Sequence, residues 1–379
     1  AHASDHQRLS ENIQTMPQLA KQAGYVTIGI DNLAVQGNGR GSWFARGFDF
    51  YSGFLYKPFS DQSAQLAERA MKFLDDSLHK PFFMFVHLWD PHTPYSPPAP
   101  FDTMHYEKNS DSPNLDDVIA LAPEYYNAFL GDMKLKCESD YDYVVAQYDG
   151  EISYVDQQIG RMVDHLKTTG LWDDSIVIVM SDHGECFGEG DVYFDHHGLY
   201  DAVMRVALLW HEPKSHHSRC NATISTEDIL ATLCERCNWP LPEYSISGQS
   251  FGNALHGKEF KDRDFIIGVE STRQASLALR TNEWKLILPI AHDAKDNPLP
   301  DIHDNQHNTQ PLLFDLKNDP HERRNVAHEY SHQCEILLKK LQSWREVEVQ
   351  QRNGHDPVLD GLSLAYDEFM SRLTGRGLR

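Results

Sequence analysis

The chain has 379 residues, 40% of them hydrophobic and 11% aromatic, enough to bury a core and to exclude global disorder. Its 34 basic and 56 acidic residues leave a formal net charge of -22. A field of that sign repels nucleic acid and anionic membranes, so any anionic substrate must be met by a local cluster of positive or metal charge.

No apolar run approaches the length of a membrane span. Six cysteines (Cys137, Cys186, Cys220, Cys234, Cys237 and Cys334) are scattered, and the single C-x-x-C has no second pair. That argues for buried structural thiols over a zinc ribbon or a redox site. The first residues, AHASDHQRLS, are neither an initiator Met nor a signal peptide, which leaves the compartment open and reads as a processed or truncated product. Asn221-Ala222-Thr223 fits a glycosylation sequon, a triplet frequent by chance.

In chain order, Thr15-Met16-Pro17-Gln18 has the pattern of a capping box with Pro in the first turn, and the helix it opens stops at Gly24. The strand YVTIGID comes next and delivers Asp31 and Asn32 at its carboxyl end. Gly37, Gly39 and Gly41 alternate in a stretch read as a flexible loop, without the strand-then-helix context of a nucleotide fingerprint. A helix over about Ser63 to Leu78 places Leu66, Ala70, Phe73, Leu74 and Leu78 on one face. The strand FFMFVHLW then ends in His87, Asp90 and His92, and prolines at 91, 94, 97, 98 and 100 stiffen its exit. Residues 101–140 lack a period and read as a long insertion of the kind that serves as a lid.

From Tyr148 a third helix carries Ile152, Val155, Ile159, Met162, Val163 and Leu166 at helical spacing. It feeds the run Ile176–Met180, short and β-branched, which reads as a strand buried on both faces of a parallel sheet. Chemistry belongs just beyond the carboxyl end of such a strand, where SDHGE stands. Asp182 and His183 can reach one cation when Gly184 turns the backbone, and a carboxylate oxygen with an imidazole nitrogen suits a divalent metal. The loop FGEGDVYFDHHGLYD adds Asp195, His196 and His197.

Helix-then-strand recurs three times, which predicts a doubly wound, largely parallel α/β sheet. Beyond TEDILATLCERC the pattern changes to short strands, FIIGVES, SLALR, WKLIL and LLFDLKNDP. Tight turns between them predict a small antiparallel sheet. A last helix carries Cys334, Leu337, Leu338, Leu341 and Trp344 on one stripe. The expected division is a metal-binding catalytic α/β domain over 1–258 and a smaller α+β subdomain over 259–379.

The segments TMPQLAKQAGY, RGFDFY, FFMFVHLWDPHTPY, YDGEISYVDQQIG, SDHGE with GEGDVYFDHHGLYD, ALRTNEWKLIL and LLFDLKNDPHERRNVA, in that order, resemble the sulfatase family of the alkaline-phosphatase-like superfamily. The resemblance covers nearly the whole chain. It implies a sulfuric ester hydrolase acting on a small-molecule or glycan sulfate ester, with Asp182 and His183 as ligands of a divalent cation, calcium first and magnesium or manganese after it. It assigns sulfate contact to His92, with His87 as a second candidate and Asp90 and Asn32 as further substrate-binding residues. The family's Lys beyond the metal pair is replaced here by the Asp-His-His-Gly loop, so His196, with His197, takes its catalytic place. An imidazole there donates to the leaving oxygen or holds the sulfate, with a charge that depends on pH.

One departure is large. The family's nucleophile, a Cys or Ser in Cys/Ser-x-Pro-x-Arg that is oxidised to formylglycine, has no counterpart in these residues, nor has the first acidic metal-ligand pair. Both are expected in a segment before residue 1, and the chain by itself is expected to be inactive. The resemblance leans toward a periplasmic or secreted protein and leaves the oligomeric state open. Two alternatives stand beside the sulfatase reading: a phosphate or phosphonate ester hydrolase of the same superfamily, and a non-catalytic fragment that binds anionic glycans. Arg273 and Arg280 near the small sheet are candidates for meeting further anionic groups of a glycan.

Overall fold

Thr15 N donates to Gln18 Oε1 at 2.8 Å and closes the start of helix α1 (Met16–Gln22), and Gly24, at φ +88°, ends it in a conformation other residues resist. The computed structural model describes residues 9–31, 44–53, 62–76, 80–107, 112, 114–120, 140–215, 218–271, 275–290 and 310–359. Asn32, the loop at 37–41, residues 121–139 of the insertion, Cys137 and Arg273 lie outside them. The chain packs as two compact units, one of Asp5–Val177 with Trp210–Phe260, the other of Ile178–Leu209 with Lys261–Arg379.

In the first unit β1 (Val26–Asp31) is the central strand of a parallel sheet of order β2-β1-β3, flanked by β2 (Phe50–Gly53) and β3 (Phe82–Val86). Helix α2 (Gln62–Asp76) lays Leu66 and Ala70 on Ile28 and Ile30, all fully or almost fully buried, with Phe73, Met84 and Val86 packed around them. This is the predicted helical face against the predicted strand. The register pairs Ile30 with Val86, and His87 N donates to Ile30 O at 2.9 Å, so β1 and β3 run out together. β2, inside the RGFDFY segment, is a strand the pattern did not mark: it is four residues long and ends in Gly53.

Helix α3 (Tyr141–Thr168) begins ahead of the expected Tyr148. Asp140 caps it by accepting from Asp142 N at 3.0 Å, and Tyr106 OH donates to the same carboxylate at 2.6 Å. Its first turns bury Tyr143, Val144 and Ala146.

The other elements are β4 (Val177–Met180), β5 (Cys186–Phe187), β6 (Tyr193–Asp195), the short helix α4 (Asp201–Met204) and β7 (Leu208–His211). β4 is half-buried with Met180 exposed, not buried on both faces as its composition predicts. Among the described residues its partner is β7 alone.

After these come β8 (Ile266–Glu270), β9 (Ser276–Arg280), β10 (Trp284–Pro289) and β11 (Leu312–Asp315), an antiparallel sheet of order β11-β10-β9-β8, as expected. One face carries Leu277, Leu279, Leu286 and Leu313 against Cys334, Leu337 and Leu341 of helix α5 (Ser331–Gln351). The other face packs Ala278, Ile287 and Phe314 on Leu199, Tyr200 and Met204, so the segment just after the two histidines rests on the sheet.

A charged network is buried at that contact. Lys285 is fully buried, with Nζ 2.9 Å from both Asp201 Oδ1 and Glu322 Oε1. Arg280 Nε and Nη2 donate to Asp201 Oδ2 at 3.1 and 3.0 Å, and Asp201 N donates to Glu322 Oε2. Arg280 is therefore engaged within the fold, not held out for a glycan.

Candidate functional site

At the end of the first unit's parallel sheet, the carboxyl ends of β1 and β3 bring Asp31 and His87 together. Asp31 is 2% exposed; its Oδ1 lies 2.8 Å from His87 Nδ1 and its Oδ2 accepts from Tyr51 OH at 2.5 Å. A carboxylate accepts, so the proton sits on His87 Nδ1 and Nε2 is the atom left for chemistry. His92 is fixed the same way: its Nδ1 donates to Thr93 O at 2.6 Å, and its ring stacks on Trp89 with centroids 4.1 Å apart. Asp90 accepts from the buried Ser63 at the start of α2, a contact with the scaffold. Asp31, the first residue of the Asp-Asn pair, is the partner that sequence reasoning left without a role.

In the second unit, the residues beyond β4 form the other cluster. His183 Nδ1 lies 2.8 Å from Gly184 O. A carbonyl only accepts, so Nδ1 carries the proton and Nε2, 3.7 Å from Asp182 Oδ2, is the ring atom left for a ligand. An imidazole that donates its far N–H to a backbone carbonyl while its other nitrogen faces a carboxylate is the donor set a divalent cation takes, so these two residues fit the metal the resemblance implies. Gly184 makes the turn: its N donates to Val203 O at 2.8 Å, and a Cβ there would meet Ala202 O at 1.9 Å.

His196 stacks on His183, with centroids 4.1 Å apart at 22°, and His197 lies beyond it at 5.0 Å from His196. Asp195, 1% exposed, accepts from His196 N at 2.8 Å. The ligand atoms of Asp195, His196 and His197 lie within 4.8 Å of one another, so these three can also share a cation. Asp182, His183, His196 and His197 are thus one assembly.

Two acids joined to this assembly were not singled out from the sequence. Glu185 Oε1 is 3.7 Å from His196 Nδ1. Glu270, at the end of β8, has Oε1 3.8 Å from His197 Nδ1 and accepts from Gly198 N through Oε2 at 3.3 Å. Glu185 was legible as part of SDHGE, whereas Glu270 reads only as a polar residue closing FIIGVES. Cys186 lies in the same region, but burial first and then Glu189, Glu185 and Asp195 push its thiol far above the usual range. It stays protonated and cannot act as a nucleophile at neutral pH.

Residues 2–238 match the sulfatase family model. The multifunctional alkaline phosphatase superfamily protein PehA of Trinickia caryophylli is 28% identical over 326 residues, 76% of this chain and 60% of that protein. The N-acetylgalactosamine-6-O-sulfatase of Bacteroides thetaiotaomicron is 25% identical over 334 residues, 83% of this chain and 56% of that protein. The chain therefore spans somewhat more than half the length of these relatives. The phosphonate monoester hydrolase of Agrobacterium radiobacter superposes with a TM-score of 0.68 at 20% identity, over 94% of this chain and 83% of that one. At that identity the likeness speaks for the fold: α/β, alkaline-phosphatase-like, with a parallel sheet and an antiparallel one. With the family model matching well over half of its residues, the chain belongs to the sulfatase family.

Proposed function

We propose that this chain is part of a hydrolase that cleaves sulfate esters of small molecules or glycans. The proposed metal is one divalent cation, calcium first, held by Asp182 and His183. The proposed nucleophile is a formylglycine that the present sequence does not contain. The observation that carries the reading is His183, with Nδ1 held 2.8 Å from Gly184 O and Nε2 left 3.7 Å from Asp182 Oδ2, and His196 stacked alongside.

A divalent cation supplies charge stabilisation as a sulfuryl group leaves its oxygen. His196 and His197 supply N–H donors, with the carboxylates of Glu185, Asp195 and Glu270 beside those rings to orient them. His87 and His92, each with Nδ1 committed to an oxygen, keep Nε2 as the ring atom that would meet an oxyanion.

Calcium titration by calorimetry tests the metal site in the chain as it stands. We expect binding to the wild type, weakened by at least about 100-fold in His183→Ala. Equal affinity of the two would sink the assignment. In the protein that carries the nucleophile, p-nitrophenyl sulfate is expected to turn over faster than p-nitrophenyl phosphate, and chelation followed by calcium addition to abolish and restore that rate. Replacing both His196 and His197 by Ala is expected to lower the rate by about 100-fold or more; an intact rate would remove them from the site.

A second reading, cleavage of phosphate or phosphonate esters, is favoured by the name of the 28% identical relative, a multifunctional protein of the superfamily. Faster turnover of the aryl phosphate would select it.

A further inference from the structure

The segment YDGEISYVD lies within α3, and the proposed chemistry makes no use of it. One face of the helix, at positions 147, 150, 151 and 154, is buried and tied to the segment after β3. Gln147 Nε2 donates to Asp102 O at 2.8 Å, and Gly150 passes so near Phe101 that a Cβ would lie 2.5 Å from its carbonyl oxygen. Tyr154 OH accepts from Ala64 N at 3.2 Å, next to the Ser63 that donates to Asp90.

Glu151 is the centre of this face. Its side chain is 3% exposed, Oε1 accepts from Ser96 N at 2.6 Å, and Oε2 is buried with no hydrogen-bond partner among the described residues. Just before Ser96, Tyr95 is buried with its ring edge-on to Tyr148 of the same helix, and Thr93 is buried as well. The stretch from His92 to Ser96 is thus stiffened by Pro94 and anchored on α3 at its far end.

We propose that Glu151 is a positioning residue which, through Ser96, sets where His92 stands at the end of β3. Burial first, and then the charge of Asp90, lift its carboxyl well above the usual carboxylate range. A glutamine keeps the shape of the side chain and an oxygen to accept from Ser96 N; an alanine has neither.

The proposal rests on the reading of His92 as an oxyanion-binding residue, and two readouts separate the two claims. The first is affinity for inorganic vanadate, measured by calorimetry. We expect Glu151→Ala to bind at least about tenfold more weakly than the wild type and Glu151→Gln to stay within about twofold of it, since small displacements of a positioned group have effects of that order. The second is hydrogen exchange, read by mass spectrometry over a peptide that covers Ser96. It should accelerate in Glu151→Ala, return in Glu151→Gln, and stay unchanged over β9 and β10 in both. Wild-type affinity and wild-type exchange in Glu151→Ala would overturn the clamp, as would a glutamine variant that behaves like the alanine one. If the wild type takes up no vanadate, the functional reading of His92 falls, and the exchange contrast alone decides whether Glu151 holds the loop.

Discussion

Replacing Lys285 by Met is expected to cost about 3–5 kcal/mol of folding stability, the usual result of removing one partner from a buried ion pair. The ammonium is fully buried and is shared by Asp201 and Glu322 at 2.9 Å each. Without it the Glu322 carboxylate keeps the Asp201 N–H as a donor but loses its counter-charge, while Arg280 continues to hold Asp201. Denaturant unfolding followed by circular dichroism checks this, and a loss below about 1 kcal/mol, the range of surface pairs, would contradict it. Adding Glu322→Gln to Lys285→Met should recover part of the loss, because the stranded charge is then gone.

The two acids respond to pH with opposite signs. Burial pushes the Asp201 carboxyl up, but hydrogen bonds from Arg280 and the charge of Lys285 bring it below its ordinary value. The stability it contributes is present above its unfolded pKa and is lost as pH falls through the folded one. Burial holds Glu322 above its ordinary value despite Lys285, so its contribution is greatest in acid and shrinks as pH rises from the unfolded value to the folded one.

Gly184→Ala is the second substitution with a large expected effect. The added Cβ would sit 1.9 Å from Ala202 O and 3.1 Å from Ala202 C, both backbone atoms that no rotamer change can move. The turn or the start of α4 must shift, at a cost of about 1–3 kcal/mol. Asp182 and His183 shift with the turn, so calcium affinity should fall by about tenfold or more, a result of misplaced ligands. Gly160→Ala serves as the counterpart: nothing lies within 4 Å of a Cβ built there, inside α3. That variant should gain about 0.4–1 kcal/mol by restricting the unfolded chain. A Gly184→Ala protein with wild-type melting and calcium binding would show that the turn has room for a side chain after all.

The strand ends were legible because composition and period mark them: FFMFVHLW and SIVIVM are short apolar runs that stop at residues able to do chemistry. The small antiparallel sheet was legible from its strands and turns, and the α5 stripe from its spacing. The pairing of Asp31 with His87 was not, because it depends on β1 and β3 being neighbours in register, a non-local fact. The roles of Glu270 and Arg280 were hidden for the same reason. Each is an ordinary polar residue at a strand end until the sheet folds against the segment after His197. The early start of α3 was obscured because its first turns are aromatic and acidic, and only the capping by Asp140 reveals them.

The stretch matched by the family model stops at residue 238, yet the groups that neutralise Asp201 and brace His197 come from residues 270–322. Cloning only the matched stretch would amputate Arg280, Lys285, Glu322 and Glu270 while leaving Asp201 with nothing of opposite sign beside it from that set. Such an excised piece is expected to collect in inclusion bodies, and any expression boundary drawn at that point would divide a single folding module.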